Sequence, residues 1–223
     1  MSRKLVVAGC SFSDRFQVDR CYGDILSQRL GFDYVHEART CGSNTAIWRR
    51  ITKHILEGGI TEQDILLVQY TVMDRTEFAT WKDPRYNDVV HEKYDDVTWL
   101  VRYKIDAETW HSNQTTAEFI RLYSQNFICP SYEDEKFVIN NHNFQCMLAH
   151  HNINAFFLNL SCYAPVPSVW SVLEYFQDRV YVDRVETLAC EPYMLSDKDP
   201  WHLSQAGHEK VSDDVYEFIK HRI

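Results

Sequence analysis

The 223-residue chain contains no apolar run long enough to span a bilayer, for which about 20 consecutive apolar residues are needed. Its seven cysteines form an odd set with no CxxC pair and no metal-like spacing. Reduced thiols in a cytosol-like compartment are therefore expected, and a metal site or metal cofactor is not. Basic residues are outnumbered, 23 Lys and Arg against 32 Asp and Glu, for a formal charge of −9. That balance argues against nucleic acid as a main partner and against an anionic membrane surface, since both call for clustered cations. No internal repeat and no low-complexity linker breaks the chain, so residues 1–223 are expected to form a single domain. The segment from Met1 to Gly9 carries two basic residues and only a short apolar run. It is too short for a signal peptide and is expected to be the first strand of a cytoplasmic protein.

What is present reads as alternating strand and helix. Leu5 to Ala8 is a short apolar run closed by Gly9, as a buried parallel strand would be. A helix is expected over Tyr22 to Leu30 with Gly31 as its stop, then a strand from Tyr34 to Ala38. Ile47, Ile51 and Ile55 recur every fourth residue in a second helix that starts at Asn44 or Thr45 and ends at Gly58-Gly59. Ile65 to Tyr70 is the most apolar strand. Further strands are expected at Ala155 to Leu160 and Val180 to Val182, and further helices at Phe137 to His151, at Val169 to Phe176 and after Ser204. The pattern breaks between about 74 and 135, an aromatic-rich insertion with a half-exposed strand at Val97 to Ile105 and a short helix at Thr116 to Ile128. Repeated strand–helix units imply a three-layer α/β/α sandwich around a central parallel sheet, whose ligands bind at the carboxyl ends of the strands.

Ser11, Gly42, Tyr70-Thr71 and Cys162-Tyr163 lie just past expected strand ends, and three motifs stand out: Gly9-Cys10-Ser11-Phe12-Ser13, Gly42-Ser43-Asn44, and Asp199-Pro200-Trp201-His202 near the C-terminus. A serine is a poor nucleophile until a base takes its proton, and a histidine needs a third group to fix its tautomer and orientation. Ser11, His202 and Asp199 can supply those roles in that order. Cys10 is a rival nucleophile, but the register of the motif favours Ser11, and Cys10 is expected to point into the core. Asp197 is a nearby decoy for Asp199. His208 lies inside the last helix and is expected to be structural or exposed, and adjacent His150-His151 cannot share a helix face as a ligand pair.

These blocks resemble the SGNH (GDSL-like) hydrolase superfamily over nearly the whole chain apart from the insertion. The resemblance implies a flavodoxin-like fold and a cofactor-independent serine esterase. The family's Gly-Asp-Ser stands here as Gly9-Cys10-Ser11, and its Asp-x-x-His as Asp199 to His202. Gly42 matches the glycine whose backbone N–H helps hold the oxyanion, together with the N–H of Ser11. The family's Gly-x-Asn-Asp is replaced by Thr71-Val72-Met73-Asp74, which removes one side-chain oxyanion donor. Asn44, Gln69 and Thr71 are the substitutes at the same strand ends. The substrate implied is a small acyl ester, including an O-acetylated carbohydrate, with Trp81, Tyr86, Trp99 and Trp110 of the insertion as a wall for it or as extra core. Acyl transfer to a sugar hydroxyl and a catalytically weak binding module are the alternatives. Nothing in the sequence sets the oligomeric state.

Overall fold

The structure, a computed structural model of the chain, describes residues 2–15, 18–39, 43–71, 76–81, 91–94, 97–102, 118, 122, 130–159, 180–182, 193–196 and 199–223. For 76–81, 91–94, 97–102, 130–134, 180–182, 194–196 and 199–201 only the backbone is described. In chain order the elements are β1 (Lys4–Ala8), α1 (Tyr22–Leu30), β2 (Asp33–His36), α2 (Asn44–Leu56), β3 (Ile65–Tyr70), β4 (Thr76–Trp81), β5 (His91–Tyr94), β6 (Val97–Arg102), α3 (Pro130–His150), β7 (Asn154–Asn159), β8 (Val180–Val182), β9 (Met194–Ser196), β10 (Asp199–Leu203) and α4 (Gln205–Ile219).

The central sheet has the order β2-β1-β3-β7-β8, and every pairing in it is parallel. Both faces are covered, and the two-residue side-chain period of a strand divides its residues between two cores. Val6, Ala8, Leu66, Val68 and Phe157 face Ile47, Trp48 and Ile51 of α2 and Phe144 and Leu148 of α3. Leu5, Val7, Leu67, Phe156 and Leu158 face Tyr22 and Leu26 of α1 and Val211, Val215 and Ile219 of α4. This is the expected three-layer α/β/α architecture. The chain turns from β1 to β2 on one side and then returns to lay β3 on the other side of β1. The cleft beyond the carboxyl ends of β1 and β3 is therefore the topological switch point, where open α/β sheets place their ligands.

Local chemistry sets the helix ends. Gly31 closes α1 at φ +70°, a left-handed conformation that suits glycine. The hydroxyls of Ser43 and Ser204 accept the Ala46 and Gly207 amides at 3.0 and 3.1 Å, capping α2 and α4.

Several boundaries move. β2 is Asp33–His36 and stops short of Ala38, and α3 begins at Pro130, not at Phe137. The strand expected from Val97 is the centre of a three-stranded antiparallel sheet, β4-β6-β5. The short helix expected over Thr116 to Ile128 lies outside the described residues except at 118 and 122, and the helix expected over Val169 to Phe176 lies wholly outside them. The Asp-x-x-His segment forms β10, paired antiparallel with β9, with a register irregularity between Asp199 and Leu203.

Candidate active site

β1 delivers the chain into Gly9 and then a tight turn. The Ser13 amide donates to the Cys10 carbonyl at 2.9 Å and the Asp14 amide to the Ser11 carbonyl at 3.3 Å. A Cβ on Gly9 would sit 2.8 Å from Gln69 Oε1 and closer still to Ser13 Oγ, so only glycine lets the turn approach β3 this closely. Ser11 is buried in that turn, with 4% of its surface exposed.

Gln69, on β3 and fully buried, fixes the loop from below. Its Oε1 accepts from the Cys10 amide at 3.1 Å, the Cys10 thiol at 3.3 Å and the Ser13 hydroxyl at 3.0 Å. Its Nε2 donates to the Tyr70 carbonyl. Since the Ser13 hydroxyl spends its proton on Gln69, it accepts from the Tyr22 phenol, 2.7 Å away. Burial pushes the Tyr22 phenol far up, so it stays a protonated donor. The network engages residues 10 and 13 and leaves the hydroxyl of Ser11 out of it. Cys10 is 1% exposed and packs in the core on the α1–α4 side of the sheet.

Asn44, the first residue of α2, forms a paired bond with the backbone leaving β3. Its Nδ2 donates to the Thr71 carbonyl and its Oδ1 accepts the Thr71 amide, both at 2.9 Å. Of the three substitute donors, the Thr71 amide is thereby spent and Gln69 presents its oxygen to the nucleophile loop. Each carboxamide nitrogen keeps a second hydrogen.

His202 reaches this place from the other end of the chain. Its imidazole lies 6.4 Å, centroid to centroid, from the ring of Phe12, the neighbour of Ser11. β10 ends at buried Leu203, and the Ser204 amide donates to the Tyr193 carbonyl at 2.8 Å, so the backbone on both sides of the hairpin is closed. Asp199 pairs with Ser196 across the hairpin, while its side chain lies outside the described residues. Gly42, Tyr86, Trp110 and Asp197 also lie outside them, and Trp81 and Trp99 are described by backbone alone, on β4 and β6. His208 is buried and structural: its Nδ1 accepts the Tyr22 amide at 3.2 Å, and its ring stacks on Tyr22 at 6.1 Å. His150 and His151 meet edge to face at the end of α3.

No family model and no curated protein matches this sequence. Solved structures do resemble it in fold. The psychrotrophic esterase EstA from Pseudoalteromonas sp., in a structure inhibited by monoethylphosphonate, matches with a TM-score of 0.58 and 11% identity over 98% of this chain and 97% of that one. An acetyl xylan esterase matches at 0.54 and 11% identity, over 96% of this chain and 98% of its own. The family 3 carbohydrate esterase of Clostridium thermocellum matches at 0.51 and 12% identity, over 99% and 96%. At such identities the common ground is the fold. The chain has the flavodoxin-like fold of the GDSL/SGNH-like esterases over nearly its whole length.

Proposed function

We propose that the protein is a serine ester hydrolase in which Ser11 is the nucleophile, His202 the general base and Asp199 the group that orients His202. The contact of the His202 ring with Phe12 carries this reading, because it puts an imidazole beside the turn that holds Ser11 at the sheet's switch point. His202 takes the Ser11 proton as Oγ attacks the acyl carbonyl, and it returns that proton to the departing alcohol. Water, activated by the same imidazole, then releases the acid from the acyl-enzyme. The oxyanion is held by the N–H groups of Ser11 and Gly42. Asn44 is the best-fitting third donor, because its pair with Thr71 fixes the plane of its amide and, among the described residues, leaves one Nδ2 hydrogen unused. Such a donor contributes about 3 kcal/mol to the transition state.

The substrate class is a small acyl ester, with O-acetylated carbohydrate the leading choice. Two proteins of similar fold are an acetyl xylan esterase and a carbohydrate esterase, and the aromatics of the insertion suit stacking against a sugar ring.

The test pairs turnover with labelling. Wild type should hydrolyse p-nitrophenyl acetate and take up a fluorophosphonate at Ser11, mapped by mass spectrometry. Ser11→Ala should lose both, and Cys10→Ala should keep most of both. Label on Cys10 would replace the serine mechanism with a thiol one, and absence of both label and turnover would leave a binding module.

A further inference from the structure

Asp14 and Arg15 follow the nucleophile turn directly, and they reach across to β2 at the edge of the sheet and to α1 respectively. Asp14 Oδ1 is 3.0 Å from His36 Nε2, at the end of β2. His36 Nδ1 is 2.8 Å from the Tyr34 hydroxyl, two residues back on the same strand face. That hydroxyl is 3.1 Å from the Cys21 sulfur at the start of α1, and the Cys21 thiol donates to Asp24 Oδ2 at 3.3 Å. Arg15 closes the circuit, its Nε donating to Asp24 Oδ2 at 2.8 Å and its second nitrogen to Oδ1. The result is a ring of six side chains, Asp14–His36–Tyr34–Cys21–Asp24–Arg15, that begins and ends on consecutive residues of the nucleophile loop.

The donors in this ring run in a consistent sense only when His36 carries a proton on both nitrogens. Nε2–H then donates to Asp14 and Nδ1–H to Tyr34, Tyr34 donates to Cys21, and Cys21 donates to Asp24. Asp14 is in turn joined to the nucleophile's backbone, since its amide donates to the Ser11 carbonyl.

We propose that this ring positions the nucleophile: the charged His36–Asp14 pair anchors the turn bearing Ser11 to β2, and loss of its charge loosens that turn. The proposal rests on Ser11 being the nucleophile. His36 and Asp14 are positioning residues, with both nitrogens of His36 already engaged and therefore not free to act as a base. The Asp14 carboxylate, which accepts from Nε2–H, and after it the nearby Cys21 sulfur hold the His36 pKa up at about 9 against the opposing effect of burial. The groups facing His36 are Asp14 from the loop, Tyr34 from its own strand, and Cys21, Asp24 and Arg15 beyond. Burial pushes the Tyr34 phenol far up, so it does not titrate in this range. Burial also pushes Asp24 upward, but bonds from Arg15 and Cys21 outweigh it and hold the carboxyl below the usual range.

The experiment follows the loop and the serine separately across pH 6 to 11. By NMR, the backbone amides of residues 10–15 should shift with the same midpoint as the His36 ring, and Asp14→Asn should lower that midpoint by at least one pH unit. The rate at which a fluorophosphonate labels Ser11 should fall on the alkaline side with that midpoint, and the fall should move with it in Asp14→Asn. His36→Gln should label about tenfold more slowly and lose the alkaline limb, with KM for p-nitrophenyl acetate unchanged. Cys21→Ser should retain the limb. Its disappearance there would assign the limb to the thiol and overturn the proposal. Loop amides indifferent to the His36 titration would also overturn it, as would His36→Gln labelling at the wild-type rate with only a lower Tm. Should His36→Gln fail to fold, the Asp14→Asn comparison decides alone. If Ser11 is never labelled, the serine reading fails, and the NMR arm still decides whether the ring controls the loop.

Discussion

The turn after β1 and the hairpin β9–β10 meet through the Phe12 and His202 rings, and their described hydrogen bonds differ in kind. Residues 10–15 are tied down by side chains: Gln69 from β3, Tyr22 from α1, and the His36 and Asp24 contacts from β2 and α1. The described hydrogen bonds of the hairpin are backbone ones, in the β9–β10 pairing and the bond from the Ser204 amide to the Tyr193 carbonyl, and the Leu203 side chain packs into the core. Gly207 sharpens the contrast, because a Cβ there would collide with that same Tyr193 carbonyl. A loop held by side chains inherits its geometry from residues far away in sequence. Backbone pairing within a hairpin does not depend on which side chain stands at a position such as 202. Substitutions in the two regions should therefore fail in different ways.

The largest effect is expected on the hairpin side. His202→Ala should lower kcat for p-nitrophenyl acetate by about 10³-fold or more, with Asp199→Asn costing less, because the orienting carboxylate is the cheaper triad member to lose. Neither change removes a described backbone tie, so the unfolding free energy from urea titration should stay within about 0.5 kcal/mol of wild type. A large stability loss with modest kinetic loss would show that His202 holds the hairpin and does not serve as base.

On the loop side, kinetic and structural losses should appear together. Gln69→Leu removes the acceptor for the Cys10 amide and the Ser13 hydroxyl, leaving buried donors unpaired at a cost of roughly 1–3 kcal/mol. The same variant should lose about tenfold in kcat, since small misplacement of a nucleophile is expensive. Urea denaturation and steady-state kinetics on one preparation check both. Full kcat beside reduced stability would mean that Gln69 supports the sheet and leaves the placement of Ser11 to other residues.

This division also marks how far the sequence could be read. β1 and β3 were legible because fully buried parallel strands show as unbroken apolar runs, and α2 because its isoleucines recur at helical spacing. Pro130 was an available sign that α3 starts early, as proline favours the first helical position, but the acidic stretch after it hides the apolar stripe. β10 was hidden by its own composition: five residues containing a proline and a register irregularity give no clean alternation. At the site, Ser11 and His202 stood out through motif order, and the Phe12 contact brings their segments together. Gln69 was legible as a polar residue near the strand end, though not the direction of its amide. The Asp14–His36 pair spans 22 residues between a turn and a strand end, a distance no local pattern encodes.

The smallest effect on turnover is expected at His208, where the two regions touch through α1. Its Nδ1 accepts the Tyr22 amide at the first turn of α1, a role that only the neutral ring can fill. Burial lowers its pKa to about 4 from an ordinary value of 6.5. The unfolded chain therefore binds a proton that the folded one refuses between those values, and stability falls as pH drops through that window. At pH 5 the loss from this group is about 2 kcal/mol. His208→Asn keeps an acceptor near the Nδ1 position and does not titrate, so its stability should decline less than wild type between pH 7 and pH 5 in matched urea titrations. Its kcat at pH 7.5 should stay within about twofold of wild type. Parallel declines in the two proteins would remove His208 as the source of acid sensitivity. A lost kcat would instead place this ring in the site beside His202.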